Sequence, residues 1–363
     1  MLIQTEPFIN SKDIKFITKV INRKYVTEDK FTKDFEDKVK KYTGSKYAIA
    51  VNNWTSGIFC CLKAMNIGPG DEVIVPNMTF IATSNAVIMT GATVVLCEVN
   101  YHNMCIDTDK IKKLINKKTK AVIPVHLYGN YCDMQELMKL KKKHNFFIIE
   151  DAAQAYGVRY KGKHVGNFGD CGGFSFYGNK ILTTGEGGMI ITNNKSLAKK
   201  IYQIKNHGRA KKGIFYHKKI GFNFMFTELQ AALGISQLYK FKKILNKRNE
   251  IFKAYCKNID NKNLIKFYLE NKYIKPLHWF VNITSSKILK IQNLLKKENI
   301  QTRRVFYPLN LQPCYKNSKL VKNLNHNFDV SKKIFQNVIS LPTFHNIKLK
   351  EIKKISKIIN NNI

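Results

Sequence analysis

Between residues 45 and 150 the chain alternates short apolar runs with helical patterns, and that alternation restricts its fold more than any other feature. Tyr47-Ala-Ile-Ala-Val51, Glu72-Val-Ile-Val75, Thr93-Val-Val-Leu96 and Ala121-Val-Ile-Pro-Val125 read as strands. Helices are expected over 56–64, 80–89 and 107–115. Strands separated by helices of this length imply an α/β fold with a mainly parallel central sheet wound by right-handed crossovers. Met189-Ile-Ile-Thr192 continues the series, followed by helices over 197–205 and 227–238. A long helix from 228 to about 254 is expected to lead into a smaller α+β domain. The chain thus divides into an N-terminal segment with a large domain, 1–240, and a smaller C-terminal domain, 241–363. Residues 11–43 read as helical and rich in polar residues, suited to packing across the outside or against a partner subunit.

Composition narrows the function classes. The 363 residues carry 44% hydrophobic side chains and a formal charge of +37. No run approaches the roughly 20 apolar residues of a membrane span. The segment Met1-Leu-Ile-Gln-Thr-Glu-Pro7 has no basic stretch followed by an apolar core, so a cytoplasmic protein is expected. Eight scattered cysteines without a C-x-x-C pair read as reduced thiols, and no metal site is expected. The positive charge would suit nucleic acid. It is spread along the whole chain, however, without interleaved aromatics, as expected where lysine serves as a generic surface residue. A positive field of this kind also draws in a substrate carrying a diphosphate.

Two stretches carry the chemistry. The run Phe146-Phe-Ile-Ile149 ends in Glu150-Asp151-Ala-Ala-Gln154, which reads as a buried parallel strand delivering a carboxylate to the sheet's C-terminal edge. Gly173-Phe-Ser175-Phe-Tyr-Gly-Asn-Lys180 then leads into the loop Thr183-Thr-Gly-Glu-Gly-Gly188. A lysine and an acid on neighbouring strand ends are what pyridoxal phosphate (PLP) requires: the lysine forms a Schiff base and the acid pairs with the pyridinium nitrogen. Lys180 and Asp151 are the catalytic candidates. Thr55 and Ser56 open a helix, where free N–H groups and hydroxyls bind phosphate or simply cap the helix. Phe80 would lie at the sheet edge, to stack on a ring or to fill the core. Gln154 could reach the ring's phenolic oxygen or stack beside it, and Ser175 could donate to the phosphate. His126 is either a substrate contact or a satisfied structural histidine. Arg303 and Arg304 either hold a diphosphate or form a solvated surface pair, and Tyr307 is a further substrate candidate.

Together, Gly68-Pro-Gly-Asp-Glu-Val-Ile-Val-Pro76, Glu150-Asp-Ala-Ala-Gln154, Ser175-Phe-Tyr-Gly-Asn-Lys180 and Gly221-Phe-Asn223 resemble the DegT/StrS sugar-nucleotide aminotransferases over roughly residues 6 to 342. The resemblance implies the fold-type-I PLP architecture and a homodimer with shared active sites. It also places Asn223 at the cofactor phosphate of the neighbouring subunit. L-Glutamate and a nucleotide sugar are the implied substrates. The loop after Lys180 looks like that of the branch aminating C4 of 4-keto-6-deoxy sugars, as in viosamine and perosamine synthases. Three positions depart from the family pattern: Trp54 where glycine is common, Met225-Phe226 for a frequent Arg-Met, and Asn310 where histidine often stands.

Overall fold

The computed structural model describes residues 1–209, 213–259 and 273–362. Its centre is an eight-stranded sheet in the spatial order Tyr47–Val51, Gly188–Thr192, Cys171–Ser175, Phe147–Asp151, Thr119–Val122, Glu72–Pro76, Thr93–Cys97, Val321–Lys322. Every pairing is parallel except the two made by Gly188–Thr192, which runs antiparallel between its neighbours. The strands are buried on both faces, and this is why they read as continuous Val/Ile runs without polar alternation. The expected α/β class is the one observed, a mainly parallel sheet flanked by helices.

The helices follow the sequence signals closely. Trp54–Ala64 starts two residues earlier than expected because Asn53 is its cap, with Oδ1 accepting from Ser56 N at 2.9 Å. Ala82–Ile88 replaces the longer helix expected over 80–89, so Phe80 lies on the loop before it. Met134–His144 went unassigned in the sequence reading. It is capped by Asp133 and ends at Asn145, whose φ of 53° allows the left-handed turn. Ser11–Asn22 and Lys30–Thr43 both pack on the long helix Glu228–Asn258. The buried Glu228 carboxylate accepts from the backbone N–H groups of Asp29, Phe31 and Thr32, which joins the N-terminal helices to it.

Helix Glu228–Asn258 is continuous through position 240. Its first half packs with Phe35, Phe174 and Phe176, and its last turns with Ile283, Leu295 and Ile355. In the C-terminal part the antiparallel sheet Val281–Thr284, Val338–Leu341, Arg303–Arg304 carries helices Ile288–Lys297 and Leu349–Asn360. Strand pairing links the parts at three places: Leu2 bridges Ile300, Val321–Lys322 extends the far edge of the large sheet, and Ile274–Lys275 pairs with Arg159–Tyr160. A third sheet is built on Arg159–Tyr160, flanked by Lys163–His164 and Ile274–Lys275. All eight cysteines are free thiols. Among the described residues no helix is long and apolar enough to cross a membrane, and no cluster of His, Cys, Asp and Glu could hold a metal ion.

Candidate active site

At the C-terminal ends of the parallel strands lies a cavity of about 700 Å³. It is lined by Thr55, Ser56, Phe80, Asp151, Gln154, Ser175, Lys180, Arg303 and Arg304, nine of the twelve residues expected at the site. Residues from both parts of the chain therefore share one chamber.

Asp151 closes the strand Phe147–Asp151 and is 4% exposed. Its Oδ1 accepts from Trp54 Nε1 at 2.8 Å and from Ala153 N at 3.1 Å, and its Oδ2 accepts from Thr83 Oγ1 at 2.8 Å. All three donors are neutral. Among the described residues no ion pair within contact distance involves Asp151, so a buried carboxylate faces the cavity with its charge met by no direct cationic partner. A pyridinium N–H is a partner of the right kind, and the residues present fit PLP.

Lys180 follows the strand Cys171–Ser175 and is half-buried against the cavity. Its Nζ stands 4.5 Å from the centroid of the Trp279 ring. Desolvation, reinforced by Arg303 and opposed by Asp151, pulls its ammonium pKa from 10.5 down to about 8. A substantial fraction of the amine is then neutral near physiological pH, as a nucleophile and proton carrier requires. Trp279 is itself fixed. Its Nε1 donates to Asn179 O at 3.1 Å, and its carbonyl accepts from Thr343 Oγ1 at 3.1 Å and from the buried Arg248 at 3.3 Å.

The remaining residues divide into those the fold brings to the cavity and those it does not. Gln154 Oε1 accepts from Tyr128 N at 2.7 Å, so its Nε2 is the donor end. Ser56 Oγ donates to Asn52 and Asn53, at 2.6 and 2.8 Å to their Oδ1 atoms, while Thr55 stands beside it in the helix's first turn. Phe80 is 56% exposed and near Phe306, which stacks on Tyr128 at 5.7 Å. Of its two sequence readings, the core one does not hold. Arg303 is exposed and lines the cavity, whereas the Arg304 guanidinium donates to Phe335 O and lies on the Phe335 ring at 4.6 Å.

Three candidates lie elsewhere. His126 is fully buried behind the strand ends, with Nε2 3.0 Å from Glu150 Oε2 and Nδ1 accepting from Cys132 N; as a substrate contact it is corrected to a satisfied core histidine. Tyr307 does not line the cavity and packs edge-on against Phe335 at 4.9 Å. Asn223 is exposed outside it, bridging Asn206. Asn310 also lies off the cavity, in a paired contact with Asn77: its Oδ1 accepts from Asn77 Nδ2 and its N donates to Asn77 Oδ1, both at 2.9 Å.

Sequence reasoning missed Thr83, Tyr128, Trp279 and Phe306 at this site, and gave Trp54 no role there. The signal for the tryptophans was rarity: the chain has two, and both line the cavity.

The sequence profile of the DegT/DnrJ/EryC1/StrS aminotransferase family matches residues 7–360. GDP-perosamine synthase of Escherichia coli O157:H7 is 35% identical over 98% of this chain and 96% of its own. The dTDP-3-amino-3,6-dideoxy-alpha-D-galactopyranose transaminase of Aneurinibacillus thermoaerophilus is 37% identical over 90% of this chain and 88% of its own. Among solved structures, Helicobacter pylori PseC, an aminotransferase involved in the biosynthesis of pseudoaminic acid, superposes with a TM-score of 0.91. It is 28% identical and covers 99% of this chain and 98% of its own. The chain thus belongs to the DegT/DnrJ/EryC1/StrS family of PLP-dependent sugar-nucleotide aminotransferases.

Proposed function

We propose that the protein moves the amino group of L-glutamate to C4 of a nucleotide-linked 4-keto-6-deoxyhexose, forming a viosamine- or perosamine-type 4-amino-4,6-dideoxy sugar. The observation that carries the reading is the shared cavity of Lys180, its pKa pulled to about 8, and the buried Asp151, which is hydrogen-bonded by neutral donors. Attack at C4 is supported by the loop Lys180-Ile-Leu-Thr-Thr-Gly-Glu-Gly-Gly188 and by the perosamine synthase relative.

PLP, when bound, supplies the electron sink that makes the Cα–H of an amino acid acidic. Asp151 holds the ring nitrogen by its charge. Thr55, Ser56, Ser175 and the first turn of helix Trp54–Ala64 hold the phosphate. Phe80 would be the aromatic face offered to the ring, and Gln154 Nε2 would be a donor to it. Lys180 Nζ takes the proton from Cα of glutamate and, in the second half-reaction, delivers one to C4 of the sugar. Arg303 lies at the mouth, where its charge can meet the diphosphate.

The working unit is proposed to be a homodimer in which Asn223 reaches the neighbouring subunit's cofactor phosphate. The exposure of Phe215 (82%) and Ile220 (88%), apolar residues on the same surface segment as Asn223, supports a covering partner.

The test is the visible absorbance of the PLP-loaded protein before and after L-glutamate, followed by a 4-keto nucleotide sugar and NMR of the product. Loss of the band on adding glutamate, and nitrogen at C4 of the product, are expected. A band indifferent to glutamate refutes the donor. Nitrogen at C3 would establish the alternative favoured by the Aneurinibacillus relative. Lys180→Ala should abolish turnover, and substantial residual activity would remove Lys180 from the reaction.

A further inference from the structure

We infer that Trp54 is a positioning residue, whose indole N–H fixes the Asp151 carboxylate in the orientation that receives the cofactor's ring nitrogen. The inference rests on the proposed role of Asp151.

The indole is a wedge. Trp54 is the first residue of helix Trp54–Ala64 and is 5% exposed. Its ring lies against two glycines that leave it room. A Cβ on Gly57 would come within 2.5 Å of Cε3, and one on Gly173 within 2.2 Å of Cζ3. Gly173 is the register partner of Asp151 on the neighbouring strand. The ring therefore spans the gap between the helix start and the strand beside Asp151, with Nε1 directed at Oδ1. Both glycines meet the Cε3–Cζ3–Cη2 edge of the ring, the edge away from Nε1, so the indole fits this gap with its N–H on the carboxylate.

A carboxylate offers about four lone-pair sites. Trp54, Ala153 and Thr83 occupy three, with Thr83 itself 3.1 Å from Thr79 Oγ1. Rotation of the carboxylate about Cβ–Cγ would break bonds at both oxygens. The remaining site is held for one further donor from the cavity. Where glycine occupies position 54, as is common in the pattern this sequence resembles, no such donor exists. The helix start here supplies an N–H of its own.

The experiment compares Trp54→Phe with wild type as PLP-binding proteins, alongside deazapyridoxal phosphate, whose ring has CH in place of the nitrogen. Quenching of tryptophan emission, from Trp54 and Trp279 in the wild type and from Trp279 alone in the variant, reports binding in both proteins. Loss of a hydrogen bond to a charged group should weaken PLP by about tenfold or more. The analogue, which makes no bond to Asp151, should change by less than about twofold, and in the Asp151→Asn background the Trp54→Phe loss should vanish. Should Trp54→Phe not fold, Gly57→Ala takes its place. Its methyl meets the indole at 2.5 and 2.8 Å and Ile190 Cγ1 at 3.4 Å, and alanine favours the helix. The same selective loss is expected. Equal losses for both ligands, unchanged affinity or tighter PLP binding would overturn the assignment of Trp54. Wild type binding both ligands equally, or no PLP at all, would instead overturn the role of Asp151 and the proposed function beneath it.

Discussion

Lys180→Met in the cofactor-free protein measures how strongly the cavity desolvates the amine. The folded chain lowers the ammonium pKa from 10.5 to about 8, chiefly by desolvation. At about 1.4 kcal/mol per unit, that shift costs the folded state roughly 3 kcal/mol wherever the lysine is protonated in both states. The contact with the Trp279 ring at 4.5 Å favours the charged form and offsets about 1 kcal/mol of this. Methionine keeps the apolar stem and carries no charge, so the variant should be more stable than wild type at pH 7 by about 2 kcal/mol. The sign with pH follows from proton counting. Between the folded value near 8 and the unfolded value of 10.5, the unfolded chain holds more protons. Wild-type stability therefore rises with pH across that window, and the gap should narrow to about 1 kcal/mol at pH 9.5. Urea unfolding of both apo proteins at pH 7 and pH 9.5, at one protein concentration, reads the two gaps. No gap at pH 7, or an equal gap at pH 9.5, would refute the desolvation argument.

Two further substitutions test the frame and the mouth of the site. Glu150→Gln should destabilise the fold by roughly 3 kcal/mol, because the buried carboxylate meets His126 and accepts from Gly166 N, Phe168 N and Gly169 N at 2.6 to 2.7 Å. Thermal or urea unfolding checks it, and a loss under about 1 kcal/mol would show that the amide satisfies the same donors. Arg303→Gln should raise KM for the nucleotide sugar about tenfold with kcat little changed, since the lost contact is to a non-reacting diphosphate. A fall in kcat at constant KM would place Arg303 at the reacting carbonyl instead.

The parts of the site that could be read from sequence are those whose partners are close along the chain. Asp151 ends a strand that is apolar because both its faces are covered, and Lys180 lies on the loop five residues after the strand beside it; local pattern was enough for both positions. His126 was left between two readings, because its proximity to Glu150 depends on how two strand ends pack. The long helix expected from 228 to about 254 runs from Glu228 to Asn258. The short helix Ala82–Ile88 was overextended, because apolar spacing alone does not show that Phe80 belongs to the cavity wall.

By itself the sequence determined the alternating strands and helices, the acid and lysine at the strand ends, and the family they belong to, since each is written in residues adjacent or in one motif. The tertiary structure decided what surrounds them. It set Gly188–Thr192 antiparallel inside a parallel sheet and brought the Trp54 indole to Asp151 across 97 positions. It also placed Trp279 under Lys180, anchored to Asn179 across 100 positions. Contacts of this length leave no periodic trace, because the chain between them is free to vary. They exist only once the sheet and the hydrophobic clusters packed around it have fixed where each strand ends.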